Sequence, residues 1–241
     1  MEPKDRIICA LDVNNAYRAI QLVGQLREHV GTFKVGLELA TAAGIQILDK
    51  LREAGAERIF FDAKLHDIPN TVAGAMKGVV RLGAWCVTVH ASGGEAMLRA
   101  AVQAARCEAE ETGTPAPRVL AVTALTSIDE HILRDEMMVD RALPEYVAAL
   151  ATMAHRAGCD GVIASPHEIA IVRSVINASG FLVLTPGVRP AGAEKGDQAR
   201  VMTPAEAIRL GADYLVIGRP IVASPDPVAA AKQIAAEIAA A

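Results

Sequence analysis

The chain has 241 residues, of which 52% are hydrophobic and 3% aromatic, and its formal net charge is −4 at pH 7. That balance excludes a general polyanion binder, whose footprint is a basic excess, and too few aromatic rings are present for a base-stacking surface, so no nucleic-acid partner is expected. The length suits one α/β barrel, which takes about 250 residues, with an aliphatic core.

Residues 1–6 run into an apolar stretch of only about five residues, too short for a signal peptide or a membrane span. The chain is therefore expected to be cytoplasmic, with no membrane association. Strand candidates follow at 6–11, 33–35, 58–61, 86–89, 119–122, 161–163, 182–184 and 214–217. Most are near-continuous apolar runs, the pattern of strands covered on both faces in a parallel sheet. Helical stretches lie between them at 15–30, 37–54, 70–82, 94–111, 144–157, 168–178, 204–211 and 227–240. In the first, Ala16, Ile20, Val23 and Leu26 fall at helical spacing. The seventh opens on Thr203-Pro204-Ala205-Glu206: a cap, a proline at the first helical position, and a glutamate three residues after the cap. Met137 and Met138 read as packing residues of a lid or helix, and the Ala-rich tail reads as a helix face. Cys9, Cys86, Cys107 and Cys159 are widely spaced without a CxxC pair, which favours reduced, buried thiols over a zinc site or a disulfide framework.

Eight strands alternating with eight helices predict the α/β class and a closed (β/α)8 TIM barrel, a single catalytic domain over residues 1–241. An open doubly wound sheet is the alternative. Against it, no GxGxxG follows the first strand, and no linker or composition break divides the chain.

In such barrels the C-terminal ends of the strands line the site. Strand 1 ends in Asp12, strand 2 in Lys34, strand 3 in Asp62 and Lys64, and strand 4 in His90. Strand 5 leads to Thr126, strand 7 to Arg189, and strand 8 to Gly218 and Arg219. Asp62 and Lys64 are two apart on an extended segment, so their side chains point the same way. A lysine flanked by carboxylates stays protonated, which suits proton donation better than Schiff-base formation. Taken alone, the DxK pair reads equally as a surface ion pair. Its place at a strand end, followed by His66-Asp67, favours a site.

Pro186-Gly187-Val188-Arg189-Pro190 and Ile217-Gly218-Arg219-Pro220 follow strands 7 and 8. Loops after these strands frequently build a phosphate site. Glycine lets backbone N–H groups approach an anion, and arginine supplies a forked, permanent cation. The plainer reading is that the glycines only make turns. His90 is either catalytic or a structural histidine. His29, His131, His155 and His167 read as surface, and no pair has metal-ligand spacing. Asp62 and Asp67 are the carboxylates available to Mg²⁺, but Lys64 between them competes electrostatically, so no metal is expected.

With these residues in view, the sequence resembles the orotidine 5′-phosphate decarboxylase family, of the bacterial type, almost end to end. The matching motifs are Ala10-Leu11-Asp12, Phe33-Lys34-Val35-Gly36, the run DAKLHDIPNT from Asp62 to Thr71, Val122-Thr123-Ala124-Leu125-Thr126-Ser127, Thr185-Pro186-Gly187-Val188-Arg189-Pro190, Asp197-Gln198-Ala199-Arg200 and Ile217-Gly218-Arg219-Pro220. DxKxxD alone is shared with related sugar-phosphate decarboxylases and synthases; the longer motifs are more specific. Ala63 departs from the family, which usually carries a larger aliphatic residue there.

The resemblance implies conversion of orotidine 5′-phosphate to UMP and CO₂ in de novo pyrimidine biosynthesis, without a cofactor, in a homodimer with shared active sites. It implies that Lys64 donates the proton, Asp62 lies beside the substrate carboxylate, and Asp12 and Lys34 meet the ribose and extend the charge array. Asp67, Ile68 and Thr71 reach the other subunit's site. Thr126 reads the pyrimidine, Gln198 bridges base and phosphate, and Arg219, the Gly218 backbone and Arg189 hold the phosphate. Segment 189–200 has the composition of a lid. Two rivals stand beside this reading: a sugar-phosphate lyase or decarboxylase of the same superfamily working through Mg²⁺ and an enediolate, and a non-catalytic barrel that senses a nucleotide or sugar phosphate.

Overall fold

Strand runs that are apolar on both faces must be covered on both sides. In the computed structural model, which describes residues 1–190 and 202–241, a closed parallel barrel meets that demand. Strands β1 (Ile7–Ala10), β2 (Thr32–Val35), β3 (Ile59–Leu65), β4 (Cys86–His90), β5 (Arg118–Val122), β6 (Gly161–Ile163), β7 (Leu182–Pro186) and β8 (Tyr214–Ile217) neighbour one another in chain order, and β8 closes onto β1. The closure rules out the doubly wound alternative. Flanking helices are α1 (Ala16–Leu26), α2 (Leu37–Ala43), α3 (Ile47–Glu53), α4 (Pro69–Arg81), α5 (Glu95–Thr112), α6 (Leu143–Ala157), α7 (Ile169–Val175), α8 (Pro204–Arg209), α9 (Arg219–Val222) and α10 (Pro227–Ala239).

Alternation along the strands divides the apolar residues between two cores. A small cluster fills the barrel interior, including Ile8, Ala10, Phe60, Cys86, Leu120 and Leu184. A much larger one lies between barrel and helices. The register sets inward residues side by side, Ala10 against Lys34, Lys34 against Phe60, and Thr88 against Leu120. Polar side chains thus follow the aliphatic layers toward the C-terminal mouth. At the other end, the Arg58 and Arg118 guanidinium groups lie 5.7 and 5.1 Å from the centre of the Trp85 ring, and Tyr214 meets that ring edge-on. Cations stacked on an aromatic face close the floor of the barrel without burying a bare charge.

Local chemistry explains where the elements start and stop. Asn15 caps α1 by accepting from the backbone N–H of Tyr17 and Arg18. Thr203 and Glu206 form the expected capping box on α8. The helix expected over 37–54 is two helices, because Gly44 takes a positive φ of 75° and breaks it. The segment after β8 is the short helix α9 and not a loop, with Gly218 at its start and Pro220 in its first turn. Three cysteines are buried, but Cys107 is exposed on α5, which corrects the expectation of uniformly buried thiols; all four are free. Met137 and Met138 do not pack: they are 40% and 80% exposed, and Met138 has a left-handed backbone that turns it outward. No described helix is long and apolar enough to cross a membrane.

In β6, Gly161 pairs with Leu182 of β7 at a close backbone approach. A Cβ there would stand 2.7 Å from the Leu182 Cβ and nearer still to its carbonyl oxygen. Relief requires strand backbone to move, so Gly161→Ala should destabilise the fold by about 1–3 kcal/mol. Urea denaturation checks this, and an unchanged midpoint would mean that β6 and β7 are not held in this register.

Candidate active site

The site begins with an irregularity in β3. Phe61 pairs with Val87 and Leu65 with Val89, so β3 advances four residues while β4 advances two. Such a bulge breaks the ladder and re-aims side chains. Asp62, Ala63 and Lys64 occupy it. Lys64 has φ +49°, a left-handed conformation that costs a non-glycine residue about 1–3 kcal/mol and persists only where its surroundings over-determine it. The two side chains converge, but because of this bulge and not because the segment is evenly extended. Thr88 meets the backbone need that the bulge creates. Its hydroxyl accepts from the Lys64 N–H at 2.9 Å and donates to Asp62 Oδ1 at 2.9 Å.

Around Asp62 the charges alternate. Lys64 Nζ is 2.8 Å from Asp62 Oδ2, Lys34 Nζ is 3.4 Å from the same oxygen, and Lys34 Nζ is 2.9 Å from Asp12 Oδ1. Gly36 leaves room for the Lys34 ammonium, since a Cβ there would stand 2.9 Å from Nζ. Burial alone drives the Asp62 carboxyl toward its neutral form, but Lys34, Lys64 and the Thr88 hydroxyl outweigh it and hold Asp62 below the ordinary carboxylate value. Burial likewise pushes the Lys34 ammonium down, and Asp62 with Asp12 turns the balance and raises it. The magnitudes account for that outcome. Desolvating an ion costs several kcal/mol, while each opposite charge about 4 Å away returns roughly 4 kcal/mol at an effective dielectric near 20. For Lys34 the buried Asp62 is the larger attraction, and the half-exposed, solvent-screened Asp12 adds to it.

These groups line a cavity of about 290 Å³ at the barrel mouth. Asp12, Lys34, Asp62 and Lys64 stand on the β1–β3 side. Gly187, Arg189, Gly218 and Arg219 stand on the β7–β8 side, and Thr126 comes from the loop after β5. Gly187 has φ +82°. The Arg189 guanidinium is buried and donates to the Val188 carbonyl. Asp67, Ile68 and Thr71 do not enter this cavity. They are exposed, and Asp67 and Ile68 line a separate open depression with His66 and Gly93. Asp67 Oδ1 there accepts from the Ile68 N–H. Asp62 and Asp67 therefore do not share a cavity, and the Asp62 oxygens already face two ammonium groups and a hydroxyl. Gln198 and positions 191–200 of the lid candidate lie outside the described residues.

A family model described as "Orotidine 5′-phosphate decarboxylase / HUMPS family" matches residues 5–234. The chain belongs to this family. Relatives share most of its length. The orotidine 5′-phosphate decarboxylase of Moorella thermoacetica is 55% identical over 238 residues, covering 99% of this chain and 94% of that protein. The one from Heliobacterium modesticaldum is 46% identical over 239 residues, 99% of this chain and 98% of that protein. Among solved structures, orotidine 5′-phosphate decarboxylase from Lactobacillus acidophilus superposes with a TM-score of 0.83 at 39% identity, covering 96% of this chain and 98% of that one.

Sequence reasoning missed two residues that this family member places at the site. Thr88 is fully buried beneath the bulge; its signal was a lone hydroxyl inside the apolar run Cys-Val-Thr-Val. Ser165 lines the cavity from the segment after β6, the one strand for which no site residue was expected. Its signal was the capping pattern Ser165-Pro166-His167-Glu168, which forms with the Ser165 N–H donating to Glu168 at 2.9 Å.

The depressed Asp62 carboxyl has a consequence for stability. The unfolded chain takes up this proton near pH 3.9, whereas the native state holds the carboxylate charged to lower pH. The stabilisation is complete above that unfolded value and is lost as pH falls through the folded one. Urea midpoints should therefore decline in acid, and Asp62→Asn should flatten the decline. Parallel curves for the two proteins would show that Asp62 is not the group responsible.

Proposed function

We propose that this chain is an orotidine 5′-phosphate decarboxylase, converting orotidine 5′-phosphate to UMP and CO₂ in pyrimidine biosynthesis. The observation that carries the reading is the line Asp12–Lys34–Asp62–Lys64 at the mouth of the barrel, opposite the Gly/Arg loops of β7 and β8. Membership of the family and its full-length relatives support it.

Loss of CO₂ breaks the bond from C6 of the pyrimidine and leaves an electron pair with no good sink in the ring. Most decarboxylases supply a cofactor as that sink. Here placed charge takes its role. The Lys64 ammonium stabilises the developing carbanion and then gives its proton to C6, regaining one from solvent. Asp62, held ionised by its neighbours, fixes Lys64 in place and stands beside the departing carboxylate. Lys34 and Asp12 continue the array to the ribose, and Thr126 contacts the base. Arg219, Arg189 and the backbone of Gly218 hold the phosphate. Enzymes lower barriers by about 8–23 kcal/mol, more than one ion pair supplies, so binding energy from the remote phosphate must serve to orient the reacting base.

The direct test follows the fall in orotidine 5′-phosphate absorbance with EDTA present and no cofactor added. Wild type should turn over, and Lys64→Ala should lose about 10²–10⁴-fold or more, the span of a positioned proton donor. Activity abolished by EDTA and restored by Mg²⁺ favours the enediolate rival. No turnover under any condition, with tight binding of UMP, favours the sensor.

Asp67, Ile68 and Thr71 stand outside the cavity of their own chain, which fits the reading that they complete the site of a second copy in a cytoplasmic homodimer. Mixing inactive Lys64→Ala with inactive Asp67→Asn creates, in each hybrid, one site with both residues intact. Random exchange should then restore about a quarter of wild-type activity. No recovery despite demonstrated exchange would rule out the shared site.

A further inference from the structure

The proposed reaction leaves His90 without a task, although it ends β4, the strand that supplies Thr88 to the bulge. It lies on the inward face of β4 with Cys86 and Thr88, two residues beyond the hydroxyl that serves the bulge. Its ring meets that of His66, with centroids 5.2 Å apart and planes inclined by 33°. His66 directly follows β3, two residues after Lys64. The turn Ala91–Gly93 closes in beside it, where a Cβ on Gly93 would stand 3.2 Å from His66 Cδ2. The bulge is thus held from β4 at two points. Thr88 takes the Lys64 N–H, and His90 backs the ring that follows. Without such restraint a lysine leaves the left-handed region, where side-chain sterics disfavour it. Burial, then His66 and Lys64, keep the His90 imidazole below the usual histidine value, with Asp62 opposing them. A ring that stays neutral at pH 7 packs near the Lys64 ammonium without repelling it.

We propose that His90 is a positioning residue for Lys64: its ring braces His66 and so holds the bulge that sets the Lys64 ammonium on Asp62. The inference rests on the proposed reaction, in which Lys64 delivers the proton. Its action is on geometry, so a flat ring of similar size should replace it and a methyl group should not.

The test compares wild type with His90→Ala, His90→Phe, His66→Ala and the double alanine variant, with melting temperatures measured on each. His90→Ala should lower kcat by about 10- to 100-fold, the scale expected when a reacting group is misplaced by about 1 Å. KM for orotidine 5′-phosphate should stay near the wild-type value, because the phosphate loops are untouched. His90→Phe should recover most of the loss. His66→Ala should match His90→Ala, and the double variant should lose no more than either, since both remove one brace. Unchanged kcat in His90→Ala, a Phe variant as impaired as the Ala variant, additive losses, or a rise in KM alone would each overturn the proposal. A crystal structure of His90→Ala judges the brace independently of any reaction. Lys64 should leave the positive-φ region and its ammonium should leave Asp62; retention of either overturns the inference. Wild type that fails to decarboxylate would overturn the proposed function instead, and the crystal comparison would then decide on the brace alone.

Discussion

A carboxylate buried at the mouth of a barrel has to be neutralised where it stands, and the structure is organised around that need at Asp62. Two ammonium groups and one hydroxyl meet its oxygens. Each comes from a different strand or from the far side of a bulge: Lys34 from β2, Lys64 from β3 itself, Thr88 from β4. Removing any one changes the balance between desolvation and attraction, because a single opposite charge roughly offsets the cost of burial and the second provides the margin. The left-handed backbone at Lys64 follows from the same constraint. Regular alternation at fixed register would not spend two extra residues of β3 against β4, and those residues bring the lysine back onto its own neighbour.

The closed barrel divides labour by strand number. Charge alternation occupies the adjacent strands β1, β2 and β3, and the Gly/Arg loops occupy β7 and β8. On the proposed reading, the reacting end of the substrate meets one arc of the mouth and its phosphate the other. Interactions with the phosphate are then available to orient the base against a rigid line of charge. The segment from His66 to Thr71 lies outside the cavity, directly after the bulge. Anything that fixes this segment, including the ring contact with His90, bears both on Lys64 and on the residues proposed to serve a second subunit.

Much of this was legible in the residues. Strands with apolar side chains on both faces can only be buried on both faces, so a parallel sheet covered by helices was legible in the pattern of runs, while its closure into a barrel was decided by the pairing of β8 with β1. The capping signals at Asn15 and Thr203 are local hydrogen bonds, readable from a few neighbours. Other features were not legible. The sequence around Gly44 reads as unbroken helix, because a tolerated glycine and a breaking glycine differ only in φ. Met137 and Met138 read as packing residues, because hydrophobicity says nothing of direction in a turn. Thr88 went unnoticed, because one hydroxyl in an apolar strand acquires meaning only when a neighbouring strand bulges toward it.

The sequence by itself determined the fold class, the family, and the identity of nearly every charged group at the mouth, because strand periodicity and motif spacing are properties of the chain alone. Only the tertiary structure decided how those groups act on one another. The Asp62–Lys64 contact depends on a register shift against β4, the direction of each pKa shift depends on burial against partners from other strands, and the exclusion of Asp67 from its own cavity depends on where β3 ends. Each is a relation between segments distant in sequence, set by packing.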